Sequence, residues 1–230
     1  MAQLGLDLDP TALAAIERHA RLLLAWTTAI NLTAIRDPAA VAVRHVLDSL
    51  TAVRPLRERG IRSFVDIGSG GGYPALPLAV ALPAERALLV ESVAKKADFL
   101  AAATVGSGLA GRVEVVARRS ESVAADERFR EAWPAVTARA VAALDELVEL
   151  GFPLLQPGGV LIAWKSGDIP EELAAARRAA DALGGGDVLE LSEAAAVPGL
   201  EGRFLVAITK HGQTPRGYPR DPALRKRRPW

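Results

Sequence analysis

The segment Asp66-Ile67-Gly68-Ser69-Gly70-Gly71-Gly72-Tyr73-Pro74 carries the clearest chemical meaning in this chain of 230 residues. Glycines at 68, 70 and 72 let the backbone turn tightly and let a ligand approach with no side chain between. A ligand held there would lie against a helix N-terminus. The plain alternative is a Gly-rich connection with no ligand, and Glu91, one strand later, argues against it. A carboxylate at that place can accept hydrogen bonds from both hydroxyls of a ribose, which marks an adenosine-containing cofactor. A solvated acid or helix N-cap is the competing account of Glu91, and its spacing from the glycine turn favours the cofactor.

A dinucleotide fingerprint, read from Gly68, would need its third glycine at Tyr73. Read from Gly70 it falls on Ala75, a tolerated residue, so a nicotinamide cofactor is weakened and stays open. The pattern that fits throughout is Asp-x-Gly-x-Gly-x-Gly, with Asp66, Gly68, Gly70 and Gly72. It resembles the loop of S-adenosylmethionine (SAM) methyltransferases.

Other chemistries are thinly represented. The chain has no cysteine, which excludes disulfides, Cys-ligated zinc, iron–sulfur clusters and thiol nucleophiles, and fits a cytoplasmic protein. His45 and Asp48 share a helix face but lack further ligands, so they read as a hydrogen-bonded surface pair and no metal site is expected. Residues 211–230 set Arg216, Arg220, Arg225, Lys226, Arg227 and Arg228 against Asp221 alone, although the whole chain has a net charge of only +1. A mildly acidic body with a cationic tail suits a polyanion gripped at one end. Tyr218 and Trp230 flank those cations and can stack unpaired bases.

The elements that must position these residues follow from periodicity. Asp9-Pro10 reads as an N-cap and first-turn proline, and apolar spacings of three and four then predict a helix reaching Ile30. A second helix is expected from about Pro38 to Val53, ending before Pro55. From Ile61 short apolar runs alternate with helical stretches: 63–67, 87–91, 113–117, 135–138 and 160–164, then 188–191 and 204–209. Uniformly apolar strands of this kind predict an α/β fold, a doubly wound parallel sheet covered on both faces. The last two runs have no room for a helix between them and should form an antiparallel hairpin at one edge, making seven strands. The expected organisation is a helical cap over 1–60, a sheet domain over 61–210 and a basic tail over 211–230. Trp26 and Trp164 read mainly as packing residues, with base stacking a lesser option for Trp164. The N-terminus lacks the features of a signal peptide, and the run 22–35 is too short to span a bilayer, so no membrane association is expected.

Taken together, the chain resembles the RsmG (GidB) family of small-subunit rRNA methyltransferases. The matching segments are Asn31-Leu32-Thr33-Ala34-Ile35, His45-Val46-Leu47-Asp48-Ser49-Leu50, Asp66 to Pro74, Lys95-Lys96 through Phe99-Leu100, Arg139-Ala140-Val141, Pro157-Gly158-Gly159 and Gly217-Tyr218-Pro219-Arg220. The Asn-Leu-Thr and His-x-x-Asp-Ser-Leu segments are the most specific, because a generic methyltransferase would not carry them. The chain departs from the pattern at Lys96, at Ser166 between Lys165 and Gly167, and at Asp221-Pro222-Ala223 after Arg220.

The resemblance implies a class I SAM-dependent methyltransferase fold and methyl transfer to N7 of a guanine in the 530 loop of 16S rRNA. By matching position it implies cofactor contacts at Gly68, Tyr73, Glu91, Ser120, Glu121 and Arg139, with Asp66 and Gly70 belonging to the same turn. Arg139 would bind the methionine carboxylate, an RNA phosphate or guanine O6, an ion pair with Asp145 or Glu146 being the structural alternative. No residue is assigned as a catalytic base, since guanine N7 has no proton to lose. Lys165 and the six tail cations are the expected RNA contacts, and 16S rRNA or the small ribosomal subunit the expected partner of a monomer. The alternative is a SAM-dependent methyltransferase acting on another RNA or on a small molecule.

Overall fold

A computed structural model describes residues 4–82, 84–192, 194 and 197–230. Helix α1 (Pro10–Trp26) begins as expected, with the Asp9 carboxylate accepting from the Ala12 amide at 2.8 Å. It ends four residues before Ile30. The Thr27 hydroxyl accepts from the amides of Leu32 and Thr33 and donates to the Thr33 carbonyl, turning the chain where the helix would have continued.

The second helix also differs from expectation. It starts as α2 (Pro38–Val41), passes through a π-helical stretch at Ala42–Leu47, and ends as α3 (Asp48–Leu50). Helix α4 (Val53–Glu58) then contains Pro55, which sequence reading placed beyond the helix end. Pro55 sits in the first turn of α4, where a missing amide hydrogen costs nothing.

Among the described residues seven strands form one sheet in the order β3-β2-β1-β4-β5-β7-β6. They are β1 (Ser63–Ile67), β2 (Arg86–Val90), β3 (Val113–Val116), β4 (Trp133–Arg139), β5 (Leu155–Ser166), β6 (Gly186–Leu191) and β7 (Arg203–Lys210). The first five run parallel, and β7 lies antiparallel between β5 and β6, so the expected single reversed strand is present. Helices α5 (Ala75–Ala81) and α6 (Ala94–Gly106) cover one face with the cap helices. There Leu23, Val41, Leu50 and Leu56 of the cap join Phe64, Leu76, Leu89 and Phe99 in one buried cluster, and Trp26 meets the Phe99 ring edge-on at 5.7 Å. On the other face, α7 (Ser120–Ala124), α8 (Leu144–Gly151) and α9 (Pro170–Ala182) pack a second cluster around Val65, Leu88, Val136 and Leu161. No helix among the described residues is long and apolar enough to cross a membrane.

The tail is strapped to the body. Arg130 donates to the carbonyls of Thr214, Pro215 and Tyr218, and the fully buried Glu149 on α8 receives a fork from Arg220 and a bond from the Trp230 indole. A last helix, α10 (Pro222–Arg227), is capped by Asp221.

The seam between cap and sheet holds three stacked rings. Tyr73 lies between His19, at 4.3 Å, and His45, at 4.9 Å. Burial lowers both histidines to about 4, and the nearby Arg139 cation adds to the effect. Both imidazoles are therefore neutral at physiological pH. An unfolded chain takes up protons on its histidines below about pH 6.5, whereas the folded chain does so only near pH 4. Their stabilisation is complete above pH 6.5 and fades as pH falls toward 4. Asp66, which burial raises to about 6, acts in the opposite sense, its contribution disappearing as pH rises through that value. In His19→Gln the Asp66 term persists, so the difference isolates His19. Denaturant melts should show the variant losing on the order of 2 kcal/mol less than the parent between pH 7 and pH 5. Equal losses would place His19 outside the buried, neutral state described here.

Candidate active site

Strand β1 ends in the glycine turn. The amides of Gly68 and Ser69 donate to the Val90 carbonyl at the end of β2, and the Gly72 amide donates to the Ser69 carbonyl. Gly68, Gly70 and Gly72 all have positive φ, 68°, 50° and 81°, which L side chains rarely adopt. Gly68 is needed for space as well, because a Cβ there would stand 2.6 Å from a Val141 methyl. Glu91 closes the turn from the next strand. One of its oxygens accepts from the Gly70 amide at 2.9 Å and the other from the Val93 amide at 2.8 Å. Each oxygen keeps a lone pair for a further donor, which suits a diol.

Asp66 lies beneath the turn. Its Oδ1 accepts from the Thr137 hydroxyl at 2.6 Å and joins β1 to β4, while its Oδ2 is buried with no partner among the described residues. Burial outweighs the Thr137 hydrogen bond and raises its carboxyl to about 6.

A cavity of about 290 Å³ opens where the loops after β1, β2, β3 and β4 converge, lined among others by Gly68, Ser120, Glu121, Val141, Pro222 and Arg225. This is the carboxyl edge of a doubly wound sheet, where such folds bind their ligands. Ser120 and Glu121 start α7 and are half-buried. An orphaned buried carboxylate oxygen, an anchored Glu91 and a side-chain-free turn together fit an adenosine-containing cofactor with a polar amino-acid portion.

Arg139, at the end of β4, is held from the cap. Its Nη1 donates to Asp48 Oδ2 at 2.8 Å and to the Arg44 carbonyl, and its Nη2 donates to His45 Nδ1 at 3.2 Å. Since arginine only donates, His45 Nδ1 is the bare nitrogen and Nε2–H points to the Thr33 hydroxyl, 2.8 Å away. The next residue, Ala140, is one of two described non-glycine residues with positive φ, at 57°. This left-handed bend follows Arg139 directly and precedes Val141, which packs against Gly68.

Two readings are corrected here. Asp48 is not part of a surface pair: it is fully buried, contacts Arg203 at 3.3 Å, and is raised above the usual carboxylate range by burial. Arg139 pairs with Asp48 rather than with Asp145 or Glu146. Asp48 stands seven residues after Val41 and four before Ala52, on the apolar side of its helix, and that placement was the available signal of burial. Trp164 is buried and donates its indole hydrogen to the Asp48 carbonyl, a packing and bonding role.

The candidate RNA residues divide into two groups. Lys165 is engaged by Glu172 and the Ala142 carbonyl, Arg220 by Glu149, and Arg225 by Glu121 and Glu146. Among the described residues Arg216 has only an exposed contact with Glu127 at 3.4 Å. Lys226, Arg227 and Arg228 are exposed. No cluster of metal-ligating side chains occurs among the described residues.

Residues 12–194 match the family described as rRNA small subunit methyltransferase G (GidB). The chain is 43% identical over 225 residues to the "Ribosomal RNA small subunit methyltransferase G" of Chloroflexus aggregans, covering 98% of this chain and 93% of that protein. It is 38% identical over 226 residues to the protein of the same name from Geobacillus kaustophilus, with 98% and 94% covered. Among solved structures it is similar to an O-methyltransferase from Bacillus cereus in complex with SAH, at TM-score 0.59 and 19% identity, covering 84% of this chain and 90% of that one. It is also similar to the O-methyltransferase TomG from Streptomyces achromogenes in complex with SAM, at TM-score 0.55 and 18% identity, with 90% and 92% covered. At such identities these structures speak to the fold, a class I SAM-dependent methyltransferase sheet. The sequence matches go further: this chain belongs to the rRNA small subunit methyltransferase G (GidB) family.

Proposed function

We propose that this chain transfers the methyl group of SAM to N7 of a guanine in the 530 loop of 16S rRNA. The observation that carries the reading is Glu91, locked onto the amide of Gly70 beside an open cleft, in a chain of this family. Bound SAM supplies an electrophilic methyl on a sulfonium, so that the N7–C bond forms as the S–C bond breaks and no proton leaves.

The protein's own task is placement. Glu91 accepts the ribose hydroxyls, the turn at Gly68 and Gly70 admits the cofactor backbone, Asp66 Oδ2 offers an acceptor, and Ser120 and Glu121 border the base. Tyr73 supports the turn from the cap side, its ring fixed between two neutral imidazoles. Arg139 brings a cation to the reaction centre, and Asp48 compensates that charge at 2.8 Å, so a sulfonium is tolerated nearby. Aligning nucleophile, carbon and sulfur can supply roughly 7–11 kcal/mol. Because N7 has no proton, the missing base is no defect.

Arg216, Lys226, Arg227 and Arg228 are the RNA contacts of this reading, since their charges face solvent. Lys165, Arg220 and Arg225 are instead each held by carboxylates of the body. The reading includes a cap over 1–60, a catalytic domain over 61–210 and an accessory tail over 211–230, in a cytoplasmic monomer whose partner is the small subunit or its 16S rRNA.

The test is methyl transfer from labelled SAM to small-subunit particles lacking the modification, followed by mapping of the label. Label at N7 of a guanine in the 530 loop is expected; label on another RNA or a small molecule would overturn the substrate. Glu91→Ala should weaken SAM by roughly 1.5–3 kcal/mol in calorimetry, the scale of hydrogen bonds to a charged group. An unchanged affinity would remove Glu91 from the site. If the four exposed tail cations each meet a phosphate, log affinity for single-stranded RNA should fall against log salt with a slope of about −3. Replacing Lys226, Arg227 and Arg228 by Ala should reduce that slope to about −0.7, and an unaltered slope would place the RNA elsewhere.

A further inference from the structure

We propose that the C-terminal tail completes the adenine end of the cofactor cleft, with Arg225 as a binding residue for the base. The proposal rests on the cofactor reading above. Pro222 and Arg225 line the cleft cavity beside Ser120 and Glu121, although 104 residues separate Arg225 from Glu121. The straps at Arg130 and Glu149 hold this part of the tail in place.

The bonding of Arg225 is incomplete in a way that points to a ligand. Its Nη1 donates to the Arg220 carbonyl at 2.8 Å, and its Nη2 donates to Glu121 Oε1 at 2.5 Å and to Glu146 Oε1 at 3.2 Å. Its Nε–H is buried with no partner among the described residues, and buried donors are rarely left so. The side chain is only 9% exposed, so bulk water does not satisfy it. Glu121 is held through one oxygen and keeps the other as an acceptor. An unsatisfied donor on Arg225 and a second acceptor oxygen on Glu121 therefore belong to two bonded residues that line this cleft. Adenine presents the complement: a ring nitrogen that accepts, next to an amino group that donates. Arg225 donates to the ring nitrogen and Glu121 accepts from the amino group. Hypoxanthine reverses both positions, setting a ring N–H against the guanidinium and a carbonyl oxygen against the carboxylate.

The tail helix thus has two uses. Arg225 serves the cleft, while Lys226 and Arg227, on the same turn, are exposed. Cofactor and polyanion meet on one short helix.

Calorimetry with the full chain tests this, using S-adenosylhomocysteine and its deaminated form, S-inosylhomocysteine. The parent chain should prefer the adenine compound, and Arg225→Ala should bind it roughly tenfold more weakly and lose most of that preference. Arg225→Lys, which keeps a charge for Glu121 and Glu146, should lose the preference too and serves if the alanine variant does not fold. Unchanged affinity in a folded variant would overturn the proposal. So would weaker binding with the preference intact, which would make Arg225 a mere prop. Failure of the parent chain to bind S-adenosylhomocysteine would instead sink the cofactor reading, and this proposal with it.

Discussion

The buried ion pair between Asp48 and Arg139 is the constraint around which the molecule is arranged. Removing a carboxylate from water costs several kcal/mol even after relaxation, and Asp48 has no exposure at all. The cost is tolerable only while Arg139 stands against it, with Arg203 and the Trp164 indole fixing the neighbouring positions. Asp48 belongs to the cap, whereas Arg139, Trp164 and Arg203 come from β4, β5 and β7. Cap and sheet must therefore close together, and Arg139 reaches the carboxyl edge of the sheet already oriented. The unusual local features gather here. The π-helical stretch carries Arg44 and His45 to the guanidinium, and the left-handed Ala140 follows it. Each costs free energy by itself, and each is supported by a pair that would otherwise leave a charge uncompensated.

The same logic recurs on the opposite face. Glu149 is buried on α8 and takes its countercharge from Arg220, 71 residues away. That pair, with the Trp230 indole, ties a segment of cationic composition to the body and brings Pro222 and Arg225 to the cleft. Composition suggests a free, positively charged arm. The structure turns Arg220 and Arg225 inward and leaves the other four cations, Arg216, Lys226, Arg227 and Arg228, exposed.

The cleft needs little from the chain beyond geometry. Methylation of an unprotonated ring nitrogen requires neither base nor metal, and the cations Arg139 and Arg225 at the sheet edge are each compensated by carboxylates. The histidines flanking Tyr73 are neutral as well and add no charge to that edge.

Much of this was legible in the sequence because it is local. Uniform apolar runs define the parallel strands, and the lack of space between the last two runs forces their antiparallel pairing. Glycines at 68, 70 and 72 mark a tight strand-to-helix turn, and Asn31-Leu32-Thr33 with His45 to Leu50 mark the family. What tertiary structure decided is who meets whom over long separations. Asp48 finds Arg139 across 91 residues, and Arg225 finds Glu121 across 104. A charged residue's type and helix face do not reveal its countercharge. Burial becomes tolerable only through that partner, so exposed grip, inward strap and buried anchor read alike until the chain folds.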